Sequence, residues 1–212
     1  MPSPSPLKYE VYYHIFNRGT NGQDVFVERR NYSFFMQRYI KYIEPVAFTY
    51  AYCLLKNHFH FLVRTKTPEE QEAYHETLKV SKTFRVLEPS QQFSNFFNSY
   101  AKAFNKAYDR SGSLFEHPFH RIRVETDAYF THLVTYIHQN PQLHGFVSDF
   151  RDWPFSSYRA ILSEQPTRVQ RDAVLEWFGG QMGFLDSHGL QVDLRPIASL
   201  IIEKDPKGLR DL

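Results

Sequence analysis

An α+β domain is predicted for this 212-residue chain by three features. Short runs of strand-forming residues recur, two long amphipathic stripes lie between them at helical spacing, and the order is β-α-β-β-α-β. That order is the split βαβ, ferredoxin-like pattern: a four-stranded antiparallel sheet with two helices on one face.

The first strand is read over residues 9–17, Tyr9 to Asn17, and is closed by Arg18-Gly19 and Asn21-Gly22. Residues 29–43 place Tyr32, Phe35, Met36, Tyr39, Tyr42 and Ile43 at helical spacing, and Pro45 stops that helix. Strands follow at 46–55 and 58–64, joined by a tight turn at Lys56-Asn57. Segment 65–91 is polar, rich in Glu and Lys and without period, and reads as an insertion. The helical signal resumes at 92–108 with Phe93, Phe96, Phe97, Tyr100, Phe104 and Tyr108 in one apolar stripe. Phe119 to Glu125 is the fourth strand. Thr126 or Asp127 caps a further helix running to about Asn140, which Pro141 helps to end. This additional helix is expected to cover the sheet face that the other two leave open. Beyond residue 150 the signals thin to a short helix at 168–178, stopped by Gly179-Gly180, and a loose tail. The expected division is a disordered lead at 1–8, one domain at 9–160 containing the 65–91 insertion, and a C-terminal helical extension and tail at 161–212.

A net charge of +2 is only mildly basic, so any nucleic-acid contact must come from local clustering. Aromatic residues make up 17% of the chain, enough for a ring-rich core with some left to stack on bases. The one cysteine, Cys53, lies in an apolar run and cannot form an internal disulfide, which leaves it as a small buried hydrophobe. Met1 to Pro6 carries neither the charge nor the apolar stretch of a signal peptide, and no apolar run approaches a membrane span. A soluble, cytoplasmic protein is expected. No phosphate-binding Gly loop is discernible, and no nucleotide cofactor is expected.

The most informative stretch is Asn57-His58-Phe59-His60-Phe61-Leu62-Val63. Strand side chains alternate between faces, so His58 and His60 share one while Phe59, Phe61 and Val63 share the other. Two imidazoles so spaced converge on one metal ion and leave the rest of its coordination sphere open to a substrate. The helix after the fourth strand carries two faces. Phe130, Leu133, Val134 and Ile137 form an apolar one, while Tyr129, His132, Tyr136 and Asn140 form a polar-aromatic one. The second face is either a half-buried rim with satisfied hydrogen bonds or one wall of a site whose other wall is the histidine strand. Imidazoles fill a hydrophobic layer poorly, which places His58 and His60 towards this helix.

Five ordered motifs then bring the chain into a known group. Tyr13-His14-Ile15-Phe16-Asn17-Arg18-Gly19, the run from Tyr52 to Val63, Gly112 to Phe115, Tyr136 to Pro141 and Trp153 to Tyr158 together resemble the HUH-type single-tyrosine transposases, in the REP-associated tyrosine transposase branch. The resemblance covers about residues 9–160. Two departures stand out: His117-Pro118 where a basic pair is frequent, and Gln142-Leu143-His144 in place of a basic residue after Asn-Pro.

The resemblance implies a transposase that cleaves and rejoins single-stranded DNA beside a hairpin. Tyr136 would be the nucleophile, forming a 5′-phosphotyrosine and leaving a free 3′-OH. His58, His60 and Asn140 would hold a divalent metal, Mg²⁺ or Mn²⁺. Such chemistry suits the residue types, because a phenol with a pKa of about 10 needs activation at neutral pH, and a metal stabilises charge developing on the phosphate. Joining reverses cleavage, so no nucleotide triphosphate is consumed. Arg18, Lys56, Arg64, Arg121 and Arg123 are the candidate DNA contacts. The alternative function is a non-catalytic protein of the same fold that binds a DNA or RNA hairpin. Both a monomer and a homodimer are compatible with the sequence.

Overall fold

The computed structural model describes residues 5–78, 83–125 and 127–195. Strand β1 (Tyr12–Arg18) leads through a short turn to helix α1 (Arg29–Tyr42), then β2 (Ala47–Leu54) and β3 (His58–Thr65) form a hairpin. Helices α2 (Pro68–Thr77) and α3 (Pro89–Ala107) follow, then β4 (His120–Arg123) and helix α4 (Asp127–Leu143). Three short helices close the described chain: α5 (Tyr158–Leu162), α6 (Arg171–Trp177) and α7 (Gln181–Gly189). The strands lie in the order β2-β3-β1-β4, antiparallel throughout, which is the expected split βαβ topology.

Helices α1 and α3 cover one face of the sheet, and the core between them is a ring cluster. Phe35 is fully buried at its centre, with the rings of Phe26, Phe59, Phe96 and Tyr100 at 4.6–5.1 Å. Tyr13 and Ile15 of β1 and Phe59, Phe61 and Val63 of β3 point into this layer. The α3 stripe is buried as its spacing predicts, at Phe93, Phe96, Phe97, Tyr100 and Phe104. Gly19, which ends β1, is held 2.1 Å (as a built Cβ) from the Gln23 carbonyl oxygen, so no side chain fits there.

Segment 65–91 differs from its reading as an aperiodic insertion: it contains α2. The helix is polar, so hydrophobic periodicity does not report it, but its start is encoded. Thr67 Oγ1 accepts from the Glu70 N–H, Glu70 accepts from the Thr67 N–H, and Pro68 opens the first turn. Gln71 is buried and ties the segment back, donating to the Leu87 carbonyl and accepting from its N–H. At the N-terminus the expected lead includes an anchored residue: Leu7 is buried, and its N–H donates to Ser90 Oγ at 2.7 Å. The expected cap at Thr126 and the last part of the expected tail lie outside the described residues. Pro141 falls inside α4, which runs on to Leu143 before ending.

On the opposite sheet face α4 packs over β2 and β3, as expected, and buries Phe130, Leu133, Val134 and Ile137 with Leu62 and Cys53. The C-terminal helices belong to the same core through Ile161, Val174 and Phe184. They also fix α4 by a chain of hydrogen bonds. His188 donates from Nδ1 to the Phe184 carbonyl at 2.7 Å, so its Nε2 accepts from His138 Nδ1 at 2.9 Å. His138 Nε2 then accepts the Ser157 hydroxyl proton at 2.8 Å, and Ser157 Oγ accepts from the Tyr52 N–H. Next to His138, Gln139 donates to the His188 and Leu190 carbonyls and accepts from the Val192 N–H.

His138 and His188, the two histidines of this hydrogen-bonded series, are both neutral. Burial, and secondarily the neighbouring His188, hold the His138 imidazole well below its usual range, while burial brings His188 down to about 4. An unfolded histidine titrates near ~6.5. The stability due to the neutral pair is therefore complete above that pH and is lost as the pH falls from there towards about 4, because only the unfolded chain takes up the protons. Urea unfolding should lose about 2–3 kcal/mol from this pair between roughly pH 7.5 and 5.5. A flat stability profile across that interval would contradict the neutral chain.

Candidate active site

Strand alternation builds the site floor. Phe16 lies opposite His60 and Arg18 opposite His58 across the β1–β3 pair, and His14 faces the same way two residues further along β1. All three imidazoles are buried beneath α4, with His14 at 0% and His60 at 1% exposure. Tyr136 and Asn140, one helical turn apart on α4, are the opposing wall and are buried as well. The Tyr136 ring stands edge-on to His60, centroids 5.5 Å apart at 78°, and to His14 at 6.5 Å and 88°. In its C-terminal half the polar-aromatic face of α4 therefore closes over these imidazoles, while Tyr129 and His132 are half-buried.

The two site histidines use their ring nitrogens alike. His58 donates from Nδ1 to Asn57 Oδ1 at 2.7 Å and presents Nε2 to Asn140 Oδ1 at 3.0 Å. His60 uses Nδ1 towards His14 Nε2, at 3.0 Å. With its Nδ1 proton committed to Asn57, a neutral His58 aims a lone pair at a carbonyl lone pair. A proton on Nε2, a rotated amide or a shared metal ion each relieves that contact. Asn140 Nδ2 is buried with no hydrogen-bond partner among the described residues.

The spacing of these donors is compatible with one divalent ion between them. Two neighbouring ligands of an octahedral ion, each about 2.1 Å from it, lie about 3.0 Å apart, the separation of His58 Nε2 from Asn140 Oδ1. No group of three His, Cys, Asp or Glu that could hold a metal occurs among the described residues, so a third protein ligand beside His58 and His60 would have to be of another type, such as the Asn140 amide oxygen. Two imidazoles and one amide leave room for phosphate and water oxygens, a mixture that suits Mg²⁺ or Mn²⁺ once DNA contributes.

Of the basic residues picked from the sequence, two are near this site. Arg18 ends β1 opposite His58 and pairs with Glu116, Nε to Oε1 3.4 Å. Lys56 is exposed in the β2–β3 turn beside Asn57. The other three are not brought to it. Arg64 sits at the far end of β3, ion-paired with Glu70 and 5.1 Å above the Phe48 ring. Arg121 and Arg123 pair across β1 with Ile15 and Tyr13, which places them on the α1–α3 side of the sheet. There Arg121 stacks 3.9 Å from the Phe119 ring, and Arg123 pairs with Glu125.

Two further histidines, outside the set chosen from the sequence, lie against this cluster. His144 lies edge-on to His58, centroids 4.8 Å apart, and completes the series Tyr136, Asn140, His144 at a spacing of four residues. That spacing was the available signal. The register of β1 against β3 is what puts His14 beside His60.

No family model matches the chain. A Haemophilus influenzae protein carrying the provisional name REP-associated tyrosine transposase is 30% identical over 113 residues, spanning 52% of this chain and 58% of the relative. The solved structure of a REP-associated tyrosine transposase bound to a REP hairpin matches with a TM-score of 0.53 and 18% identity, covering 78% of this chain and 88% of that one. The second likeness is one of fold. Both agree with the resemblance carried by the motifs. Among the described residues, no helix is long and apolar enough to cross a membrane.

Adjacent residues on α4 should separate fold from site. Gln139→Ala removes a satisfied backbone clasp and should destabilise the protein by about 1–3 kcal/mol. Asn140→Leu replaces a poorly satisfied buried amide with an apolar group of similar size, and should be neutral or stabilising by about 1 kcal/mol. Urea titrations near pH 8 read both, and a large loss for Asn140→Leu would mean that the amide serves the fold.

Proposed function

We propose that this chain is a metal-dependent transposase that cleaves and rejoins single-stranded DNA beside a hairpin through a 5′-phosphotyrosine at Tyr136. The observation that carries the reading is the meeting of Tyr136, His58, His60 and Asn140 in one buried cluster. These residues come from two elements 76 positions apart between His60 and Tyr136. A pure binding module needs bases to stack on exposed rings, whereas this phenol and these imidazoles are turned inward.

His58, His60 and Asn140 are the residues that would hold the ion. When bound, the ion supplies Lewis-acid polarisation of the scissile phosphate. Tyr136 supplies the nucleophile: its phenol oxygen attacks phosphorus, the bond from phosphorus to the 3′-oxygen breaks, and the phenol proton leaves to solvent as the 3′-oxygen takes one up. The fragment on the 3′ side of the cut stays on the protein, its 5′-phosphate held to Tyr136 as a phosphodiester. Rejoining is the same displacement run backwards by a 3′-OH, so bond energy is conserved. Tyr136 is only 2% exposed, so the site must open before a phosphodiester can reach it. The relative solved with a bound hairpin supports a hairpin as the docking element for this chain as well.

The test uses hairpin-bearing single-stranded DNA labelled at either end, with Mn²⁺. Label from the 3′ end should become attached to the protein in a denaturant-stable adduct, while label from the 5′ end is released on a fragment with a free 3′-OH. Tyr136→Phe and chelation of the metal should each abolish the adduct, and His58→Ala should lower it by at least ~100-fold. Adduct from Tyr136→Phe would overturn the nucleophile. Hairpin binding with no adduct from the wild type would favour the non-catalytic reading, and free 5′-phosphate without any protein-linked species would favour simple hydrolysis.

A further inference from the structure

We infer that His14 is a positioning residue that sets the tautomer of His60, so that His60 Nε2 is the nitrogen available to a metal ion. The inference rests on the proposed metal site and adds a residue to it. His14 and His60 lie on adjacent strands of one sheet face, are both buried, and stack with centroids 5.2 Å apart at 19°. Their nitrogens, His14 Nε2 and His60 Nδ1, are 3.0 Å apart and share one proton when both rings are neutral.

The position of that proton decides whether His60 can be a ligand. Placed on His60 Nδ1, it leaves Nε2 with a lone pair. Placed on His14 Nε2, it leaves His60 Nδ1 as the acceptor and puts the ring's own proton on Nε2, which cannot then ligate. His58 shows the arrangement a ligand needs, since its Nδ1–H is committed to Asn57 Oδ1 and its Nε2 meets Asn140. His14 would do for His60 what Asn57 does for His58. A ligating histidine generally needs such an outer partner to fix its ring and tautomer. Neither Asn57 nor His14 is a carboxylate, so these partners would orient both rings without adding an anion that competes with phosphate for the ion.

The experiment is histidine-selective ¹⁵N labelling with long-range ¹H–¹⁵N spectra of the metal-free protein at about pH 8, where imidazole is neutral, together with Mn²⁺ titration followed by electron paramagnetic resonance. In the wild type His60 should carry its proton on Nδ1. In His14→Ala, His60 should shift towards the Nε2–H form that free imidazole side chains prefer in water, and Mn²⁺ affinity should fall roughly 10–100-fold. His14→Gln, whose Oε1 accepts the same proton, should restore most of the affinity. A packing role alone would leave the His60 tautomer unchanged. A wild-type spectrum with the proton on His60 Nε2 overturns the inference without any variant having to fold. Wild-type Mn²⁺ binding that His14→Ala leaves within about twofold, against that range, overturns it while the metal site stands. A wild type that binds no Mn²⁺ removes the metal site and this inference together.

Discussion

The antiparallel pairing of β1 with β3, Phe16 opposite His60 and Arg18 opposite His58, governs where every other group of the site lies. Side chains on a strand alternate, so a slip of one residue would turn His58, His60 and Leu62 into the α1–α3 layer and push Phe59, Phe61 and Val63 out of it. That slip is opposed by the rings around Phe59 and Phe61, each of which loses about 1.5–3 kcal/mol if its burial is undone. The aromatic core therefore has a role beyond stability. It holds the register that aims two imidazoles at α4, and the same register brings His14 beside His60.

The second wall depends on a different kind of interaction. Helix α4 meets the sheet through apolar residues, but apolar contact alone permits small rotations about the helix axis. The directional hydrogen bonds of His138 and Gln139 remove that freedom, because they tie one side of the helix to Ser157 and to residues 188–192. Tyr136 and Asn140 lie on other sides of the same turns and inherit the fixed angle. Neighbouring positions thus divide their work: His138 and Gln139 satisfy every bond and stabilise, whereas Asn140 Nδ2 has no hydrogen-bond partner among the described residues. A buried polar group in that condition costs stability and is retained where it serves chemistry.

Most of this was legible in the sequence because the elements that carry it are long or strictly periodic. The alternation of β3, the ring stripe of α3 and the two faces of α4 each specify their own orientation. What was not legible fails for identifiable reasons. Helix α2 is polar and shows only in its Thr67-Pro68-Glu69-Glu70 start. Helix α6 answers the short helix expected at 168–178, but α5 and α7, at 5 and 9 residues, are too short to display a period. Arg121 and Arg123 alternate with His120 and Ile122, and which pair faces the site depends on pairing with β1 that no local pattern reveals.

The placement of the basic residues also limits how nucleic acid can be held. Arg18, Arg64, Arg123 and Arg168 each have a carboxylate partner, in Glu116, Glu70, Glu125 and Glu44. A phosphate approaching one of these arginines has to displace that partner, and the exchange returns less than binding to an unengaged cation would. Nonspecific attraction from a net charge of +2 is correspondingly weak. On the proposed function, affinity for a DNA strand would come from shape and local contacts more than from counterion release. Arg18 is the instructive case, since its Glu116 partner is half in solvent and it ends the strand that faces His58. A strand that drew Arg18 away from Glu116 would gain its cation beside the histidine pair, coupling DNA docking to the electrostatics of the buried cluster.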